Sequence, residues 1–369
     1  MRIALFYHSL LSDWDHGAAH FLRGIASELK FRGHDVTVFE PEYAWSRENL
    51  LAEQGPAALD DFANFYPGLT SQRYDLETLD LDRALDGMDL VIVHEWNEHD
   101  LVARIGRHRA TSRTYRLFFH DTHHRSLTDR GDVARYELQH YDGILAFGEV
   151  IRELYLAKAW AQHAWTWHEA ADTRLFRPIV GLPREGDLLW IGNWGDAERS
   201  TELVEFVITP SQELGLRTRA YGVRYPEAVQ ELLRTVGIEY AGWLPNYRVP
   251  LAYARFRVTV HVPRRPYIAV LPVIPTIRPF EVMACGIPLV SAPWQDLEGL
   301  FSAGRDYLVA RNGKEMTRHL RDLLNDQEMT TEIALNGHQT ILERHTCSHR
   351  IDELLRICHG LGMNTGLVH

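Results

Sequence analysis

The sequence predicts an α/β protein with two doubly wound parallel sheets that face across a cleft, followed by a C-terminal helical segment. Its 369 residues exceed the size at which one hydrophobic core keeps growing, so two domains are expected. Short apolar runs alternate with helical periodicity in both halves, which is typical of parallel sheets covered by helices on both faces. A stretch rich in proline, glycine and charge separates the two series, as in a linker.

In the first half, an apolar run leads through a polar loop into a helical pattern. Ala18, Leu22, Ile25 and Leu29 recur at i, i+4, i+7 and i+11, which predicts an amphipathic helix. Strands are predicted at 2–8, 35–41, 89–96, 115–121 and 143–148. Residues 42–80 are irregular and aromatic, and they carry no element prediction.

The second half repeats the alternation. Strands are predicted at 187–192, 216–222, 256–263, 287–293 and 306–310. We therefore predict a Rossmann-like domain at 1–170, a linker at 171–186, a second Rossmann-like domain at 187–345 and a C-terminal helix at 346–369. Ligands of such sheets bind beyond the carboxyl ends of the strands, and a cleft between two such domains is a preferred place for a small-molecule site.

Composition excludes several classes of protein. The net charge is −11, with 36 Arg and 3 Lys, so duplex nucleic acid is a poor first choice of partner, although arginines can hold a small anion. Cys285, Cys347 and Cys358 show no CxxC spacing and indicate reduced thiols rather than disulfides or a zinc site. No leader-like or membrane-spanning segment is recognisable, so we expect a cytoplasmic protein.

The segment TIRPFEVMACGIPLVSAP, residues 276–293, combines structural and chemical signals. Pro279 suits the first position of a helix, and Glu281 in the first turn would complement the helix dipole. Gly286 is expected to end the helix. Arg278 stands just ahead of the predicted helix.

This segment resembles the donor-binding signature of GT-B glycosyltransferases, of the family 4-like type, and the chain is similar to their CgeB-like branch. Segments carrying the resemblance are HDTHHR (120–125), HEAADTRLFRP (168–178), WIGNWGDAER (190–199), AGWLPNY (241–247), RPFEVMACGIPLVSAP (278–293) and HTCSHR (345–350). One departure concerns Val273, which stands where many retaining members carry a second glutamate. Retention or inversion of configuration therefore stays open.

The resemblance implies a transferase that moves a sugar, expected to be a hexose, from a nucleotide diphosphate to an acceptor hydroxyl. The C-terminal domain would bind the donor and the N-terminal domain the acceptor. Glu281 would accept hydrogen bonds from the ribose, and free N–H groups at 279–281 would meet the diphosphate. Arg278 and Arg199 would neutralise the leaving nucleotide, with no metal or redox cofactor. Alternatively, Arg199 is an i,i+3 partner of Glu202.

Further donor-binding candidates are weaker. Gly192 and Asn193 could let the backbone approach the diphosphate, but Gly-Asn is also an ordinary turn. Tyr247 and Trp243 could line the base pocket or belong to the core. Phe280, next to Glu281 in the motif, completes the predicted donor set.

The catalytic candidates lie in the first half. His120 and Asp121 end a predicted strand, and the resemblance implies that His120 contacts the transferred sugar or donor phosphate; the alternative is a hydrogen-bonded histidine in a polar turn. His16 in the first βα loop suits a general base if the reaction inverts configuration. Asp15 fits better as the N-cap of the next helix. A metal site at HDTHH is disfavoured, because the spacing does not place two ligands on one helix face.

Two other functions remain open from the sequence: a nucleotide-sugar epimerase and a non-catalytic scaffold that binds sugar nucleotides. The acceptor (glycan, small molecule or protein), the donor sugar, the base (uridine or guanosine) and the oligomeric state also stay open.

Overall fold

A computed structural model describes residues 1–112, 114–123, 130–269 and 276–365. The chain divides into two compact units, Met1–Glu169 with Cys347–His369, and Ala170–Thr346. Each unit contains one parallel β-sheet. Val273, the position of the missing second glutamate, lies outside the described residues.

The first unit contains a seven-stranded sheet in the order β3-β2-β1-β4-β5-β6-β7. Its strands are β1 Arg2–Phe6, β2 Asp35–Pro41, β3 Ser71–Tyr74, β4 Leu90–His94, β5 Arg116–Asp121, β6 Gly143–Ala146 and β7 Ala164–Thr166. Its longer helices are α1 Ala19–Phe31, α2 Trp45–Gln54, α3 His99–Ser112 and α4 Glu149–Ala157, and its short helical turns are Pro56–Leu59, Phe62–Phe65, Leu81–Ala84 and Arg130–Val133. The central strands are fully buried because helices cover both faces of the sheet.

The second unit contains a six-stranded sheet in the order β10-β9-β8-β11-β12-β13. Its strands are β8 Leu188–Ile191, β9 Thr218–Tyr221, β10 Glu239–Tyr240, β11 Val258–His261, β12 Leu289–Ser291 and β13 Leu308–Val309. Its longer helices are α5 Glu227–Thr235, α6 Ile277–Ala284, α7 Gly313–Asn325 and α8 Gln327–Arg344. Shorter segments are Asp196–Glu198, Ser200–Leu203, a π-helical turn Val204–Ile208, Thr209–Leu214, Asn246–Arg248, Val249–Tyr253 and Arg265–Ala269.

The C-terminal helix α9, Cys347–Gly360, folds with the first unit. Arg32 at the end of α1 forms an ion pair with Asp352 at 2.5 Å and donates to the hydroxyl of Ser348 at 2.7 Å. Trp167 donates its indole N–H to the main-chain oxygen of Arg350 at 2.8 Å. The predicted C-terminal helix is therefore an integral layer of the first unit, which the sequence did not indicate.

Each sheet has one point at which the strand order reverses. In the first sheet it lies between β1 and β4, and in the second between β8 and β11. The connections leave these neighbouring strands in opposite directions, so a crevice opens at their carboxyl ends. The candidate site residues of each unit are best described from these two points.

Candidate functional site

Arg199 spans the reversal point of the second sheet. Its guanidinium donates to the main-chain oxygen of Asn193, which follows β8, and to that of Val262, which follows β11. Glu202, the alternative partner considered from the sequence, instead binds Arg265 at 2.6 Å. The i,i+3 pairing of Arg199 is therefore wrong, and the guanidinium links the two strand ends where a ligand is expected.

His261, the last residue of β11, lies beside both predicted phosphate-binding arginines. Its Nδ1 is 3.0 Å from the hydroxyl of Ser291 and its Nε2 is 3.2 Å from that of Thr276. Because the Ser291 hydroxyl donates to a main-chain oxygen, its oxygen accepts from Nδ1–H, and Nε2 accepts from Thr276. Burial, together with the smaller effects of the Arg199 and Arg278 charges, lowers the pKa of His261 to about 3. The ring is therefore neutral, and two guanidinium groups act on it.

The donor-motif helix α6 begins earlier than predicted. Its first residue is Ile277, so Pro279 is the third residue and Glu281 the fifth, beyond the first turn. Thr276 takes an extended conformation and Ile277 is already buried, which sets the start. Free N–H groups belong to the first four helical residues, of which Pro279 has none. The free N–H groups at this helix start are therefore those of residues 277, 278 and 280 rather than those of 279–281, and their contact with a diphosphate stays a prediction.

Glu281 is completely buried. Its Oε1 accepts from the side-chain amide of Asn246 at 2.6 Å, and its Oε2 accepts from the guanidinium of Arg278. The Arg278 side chain keeps about a fifth of its surface exposed. In this structure the carboxylate therefore anchors Arg278, and the ribose contact stays a prediction.

The loop after β8 is held by close backbone packing. The main-chain oxygen of Gly192 accepts from the hydroxyl of Tyr225 at 2.8 Å, and that hydroxyl accepts from the indole of Trp190 at 2.8 Å. A Cβ at Gly192 would lie 2.7 Å from the Trp190 ring, and one at Gly222 would lie 2.1 Å from the Gly192 oxygen. The side chain of Asn193 accepts a main-chain N–H at 3.0 Å. Packing by itself accounts for this Gly-Asn pair, and its diphosphate role stays a prediction.

Two predicted donor contacts lie in the core. Phe280 is 1% exposed and packs edge-on against Phe301 and His345 at centroid distances of 5.1 and 5.6 Å. Tyr247 is 2% exposed. Phe280 faces the interior because α6 is buried on nearly all sides, so its assignment to the donor set is corrected to a structural role. Trp243 keeps intermediate exposure.

Four buried histidines lie at the carboxyl end of the first sheet. His8 follows β1, His16 lies in the loop to α1, His94 ends β4, and His120 lies in β5. Neighbouring ring centroids are 5.9 Å (His8 to His16), 6.1 Å (His16 to His94) and 5.4 Å (His94 to His120) apart. Burial lowers the pKa of His8 to about 4 and that of His120 to about 3. The pKa of His16 is well below its ordinary value through burial, then the charges of His8 and Arg23.

Asp121 holds local structure in the first unit, whereas Asp15 does not cap the following helix. Asp121 accepts from the hydroxyl of Tyr155 at 2.9 Å and from the N–H of His123 at 3.1 Å, so it closes a turn and holds α4. Asp15 has a φ of +48°, and α1 begins only at Ala19, with an alanine at its N-cap. The predicted N-cap role of Asp15 is therefore wrong, because the loop turns once more before the helix starts.

Four residues of these two sites were missed from the sequence. They are His8, His94, Asn246 and His261. The three histidines lie at or just beyond strand ends, which is the signal that singled out His120, and it could have been applied to them. Asn246 lies within the segment AGWLPNY (241–247) that carries the resemblance, but no local pattern indicated its contact with Glu281, 35 residues away.

Within the described ranges, no group of three or more His, Cys, Asp or Glu side chains is placed to hold a metal ion. None of the helices in those ranges is long and apolar enough to cross a bilayer. The lack of a cofactor and the cytoplasmic location stay predictions.

Comparison with known proteins supports the sequence resemblance. Residues 199–356 match the model of a family described as glycosyl transferase-like. No curated protein sequence matches the chain significantly.

Solved structures match nearly the whole chain. Anabaena HepE in complex with UDP and glucose is 14% identical, with a TM-score of 0.65, over 96% of this chain and 99% of that one. Sucrose-phosphate synthase from Thermosynechococcus elongatus is 14% identical, with a TM-score of 0.65, over 98% and 99%. An alpha-glucosyltransferase in complex with UDP and a 13-mer DNA containing an HMU base is 13% identical, with a TM-score of 0.69, over 97% and 99%.

These matches confirm the predicted fold class: the chain has the two Rossmann-like domains of the GT-B fold, with helices at its C-terminus. Residues 199–356 are similar to the glycosyl transferase-like family, and this similarity favours a glycosyltransferase over the epimerase and the scaffold. The CgeB-like branch stays a prediction.

Proposed function

We propose that the protein transfers a hexosyl group from a UDP-sugar to an acceptor hydroxyl, and that the second unit holds the UDP at the carboxyl end of its sheet. The observation that carries this proposal is the position of Arg199, whose guanidinium joins the two strand ends at Asn193 and Val262. The neighbouring His261 contacts the hydroxyl of Thr276, which directly precedes the helix that carries Arg278. Two guanidinium groups can neutralise the charge that develops on a leaving diphosphate, which makes a metal ion unnecessary. Uridine is chosen over guanosine because HepE and the alpha-glucosyltransferase are both described with UDP.

Glu281 acts in this proposal through Arg278. Its two oxygens accept from Asn246 and Arg278, and this pairing fixes the direction of the Arg278 guanidinium. A direct ribose contact requires the buried carboxylate to become accessible, because it has no exposed surface in this structure.

The first unit holds the acceptor, and His16 is the proposed base if configuration is inverted. Its lowered pKa keeps the ring unprotonated at neutral pH, as a base must be before the reaction. The same shift weakens its basicity, so negative charge on a bound substrate has to raise its pKa during transfer. We retain His120 as a candidate contact for a sugar hydroxyl and propose that Asp121 only maintains the local fold.

Donor binding is tested by thermal and chemical unfolding of the full-length protein with UDP, GDP and ADP. UDP at about 100 times its Kd should raise the free energy of unfolding by about 2.7 kcal/mol. Arg278→Gln should remove most of this effect. Arg234→Gln is the matched control, because Arg234 also pairs with a glutamate at i,i+3 but on the surface, and it should leave the effect intact. The proposal fails if no UDP-sugar is hydrolysed or transferred and UDP does not stabilise the wild-type protein.

The role of Glu281 is tested by comparing UDP with 2′-deoxy-UDP. If Glu281 acts through Arg278, Glu281→Gln weakens both nucleotides by the same factor. If the carboxylate contacts the ribose, the variant instead loses its preference for UDP over the deoxy compound.

A further inference from the structure

An aromatic cluster extends from the buried histidines of the first unit towards its surface. We call it the Trp–His cluster, and its members are His8, His16, Trp45, His94, Trp96, His120 and His123. His8 stacks on Trp45 with centroids 4.7 Å apart and an interplanar angle of 28°. Trp45 lies 5.9 Å from Trp96, and Trp96 lies 5.0 Å from His123. The cluster is continuous, because ring contacts from His8 to His16, from His16 to His94 and from His94 to His120 connect its members.

Exposure changes along the cluster. His8, His16, His94 and His120 are buried, and they form its inner part. Trp45, Trp96 and His123 keep intermediate exposure, so part of each ring in the outer part of the cluster is accessible to solvent. Partly exposed indoles above buried imidazoles combine a large apolar face with polar atoms beneath it.

The inner part also has unused hydrogen-bonding capacity. Among the described residues, none supplies a hydrogen-bond partner to Nε2 of His120, although this atom is buried. Buried polar atoms are almost always hydrogen-bonded, so such an atom indicates a polar ligand group or an ordered water. A ligand hydroxyl can form a hydrogen bond with Nε2 of His120 in either tautomer of the imidazole, because a hydroxyl both donates and accepts.

The charges around the cluster disfavour an anionic ligand. Arg23 pairs with Asp13 at 2.7 Å, and its guanidinium also donates to the main-chain oxygens of Leu10 and Leu11. Glu95 accepts from the main chain of Thr122, and Asp121 and Glu40 are buried nearby. In the described ranges, carboxylates therefore outnumber guanidinium groups here, and the histidines with lowered pKa values add no positive charge at neutral pH. Phosphate-rich ligands need the opposite balance.

We propose that the Trp–His cluster binds a neutral saccharide and that this saccharide is the acceptor. A pyranose ring has an apolar C–H face, which fits Trp45 and Trp96, and a rim of hydroxyls, which fits the imidazoles. This inference rests on the proposed function, because it assigns the acceptor to the first unit. The proposed acceptors are neutral saccharides, and nucleic acids and sugar phosphates are excluded as acceptors.

The test uses the full-length protein without donor and measures binding by saturation-transfer NMR and calorimetry. The probes are glucose, N-acetylglucosamine, cellobiose and chitobiose, with glucose 6-phosphate and a hydroxymethyluracil-containing DNA duplex as anionic counterparts. At least one neutral saccharide should bind, and Trp96→Ala should weaken it about five- to ten-fold while UDP binding stays unchanged. Trp160→Ala is the control, because this tryptophan belongs to the same unit, is also partly exposed and lies outside the cluster.

The outcomes separate this inference from the proposed function. Three results overturn the inference alone if UDP binding is intact. They are that no neutral saccharide binds, that either anionic probe binds better than the neutral saccharides, or that Trp96→Ala binds the saccharide as tightly as the wild-type protein. Loss of UDP binding in the wild-type protein instead overturns the donor assignment. Retained saccharide binding in that case still supports a saccharide site in the first unit.

Discussion

Buried histidines should make this protein sensitive to mild acid. An unfolded histidine binds a proton below about pH 6.5, whereas folded His8 does so only near pH 4, and His120 and His261 only near pH 3. Between the pKa values of the folded and unfolded histidines, the unfolded state binds more protons than the folded state. The free energy of unfolding is therefore highest above about pH 6.5 and falls as the pH is lowered. Each histidine should cost about 2 kcal/mol between pH 7 and pH 5. The three together remove about 6 kcal/mol, compared with roughly 5–15 kcal/mol for an ordinary domain.

This expectation is measured by urea unfolding at pH 7, 6 and 5, a range above the titration of ordinary carboxylates. His8 and His120, together with His16, whose pKa is also lowered by burial, lie in the first unit and His261 lies in the second, so the first unit should lose more stability than the second. His120→Gln should flatten the pH dependence by nearly one proton, whereas His140→Gln, at an exposed position, should not change it. A free energy of unfolding that is equal at pH 7 and pH 5, or a slope unaffected by His120→Gln, would refute the argument from burial.

Two substitutions test the packing beneath the sites. Gly222→Ala should destabilise the protein by about 3 kcal/mol, because its Cβ would lie 2.1 Å from the Gly192 oxygen. The control is Gly215→Ala, which should cost only about 1 kcal/mol because Gly215 has a φ of +61° but open space around it. Equal melting temperatures for the two variants would contradict the close approach at Gly222. Arg23→Met should cost about 3–5 kcal/mol in urea unfolding, because it removes the guanidinium that pairs with the nearly buried carboxylate of Asp13, and adding Asp13→Asn should restore part of the loss. No recovery in the double variant would show that the pair is not the cause.

Most strands could be predicted because their residues are buried on both faces. β2 occupies the predicted range 35–41, and β4 lies inside the predicted range 89–96. β3 was missed because Ser71–Tyr74 is a polar edge strand with only one buried residue. Such a strand is formed by pairing with β2 rather than by its own hydrophobic pattern.

The candidate site was predicted only in part. Arg199 and Arg278 were identified from the resemblance to a known family, and the charges of both lower the pKa of the same histidine in the structure. His261 itself was missed, because in a buried strand it was interpreted only as part of the apolar run. Phe280 was assigned to the donor because it neighbours Glu281, but adjacent residues on a helix point in different directions.

Local signals in the sequence determined the two α/β series, the glycine that ends α6 and the arginines available for an anion. Each of these depends on residues within a few positions of one another, where periodicity and backbone preference act directly. The tertiary structure alone decided that Glu281 is buried against Asn246, that α9 completes the first unit and that four histidines meet at one sheet edge. Those arrangements bring together residues far apart in the chain, and only the packing of whole elements determines which of them meet.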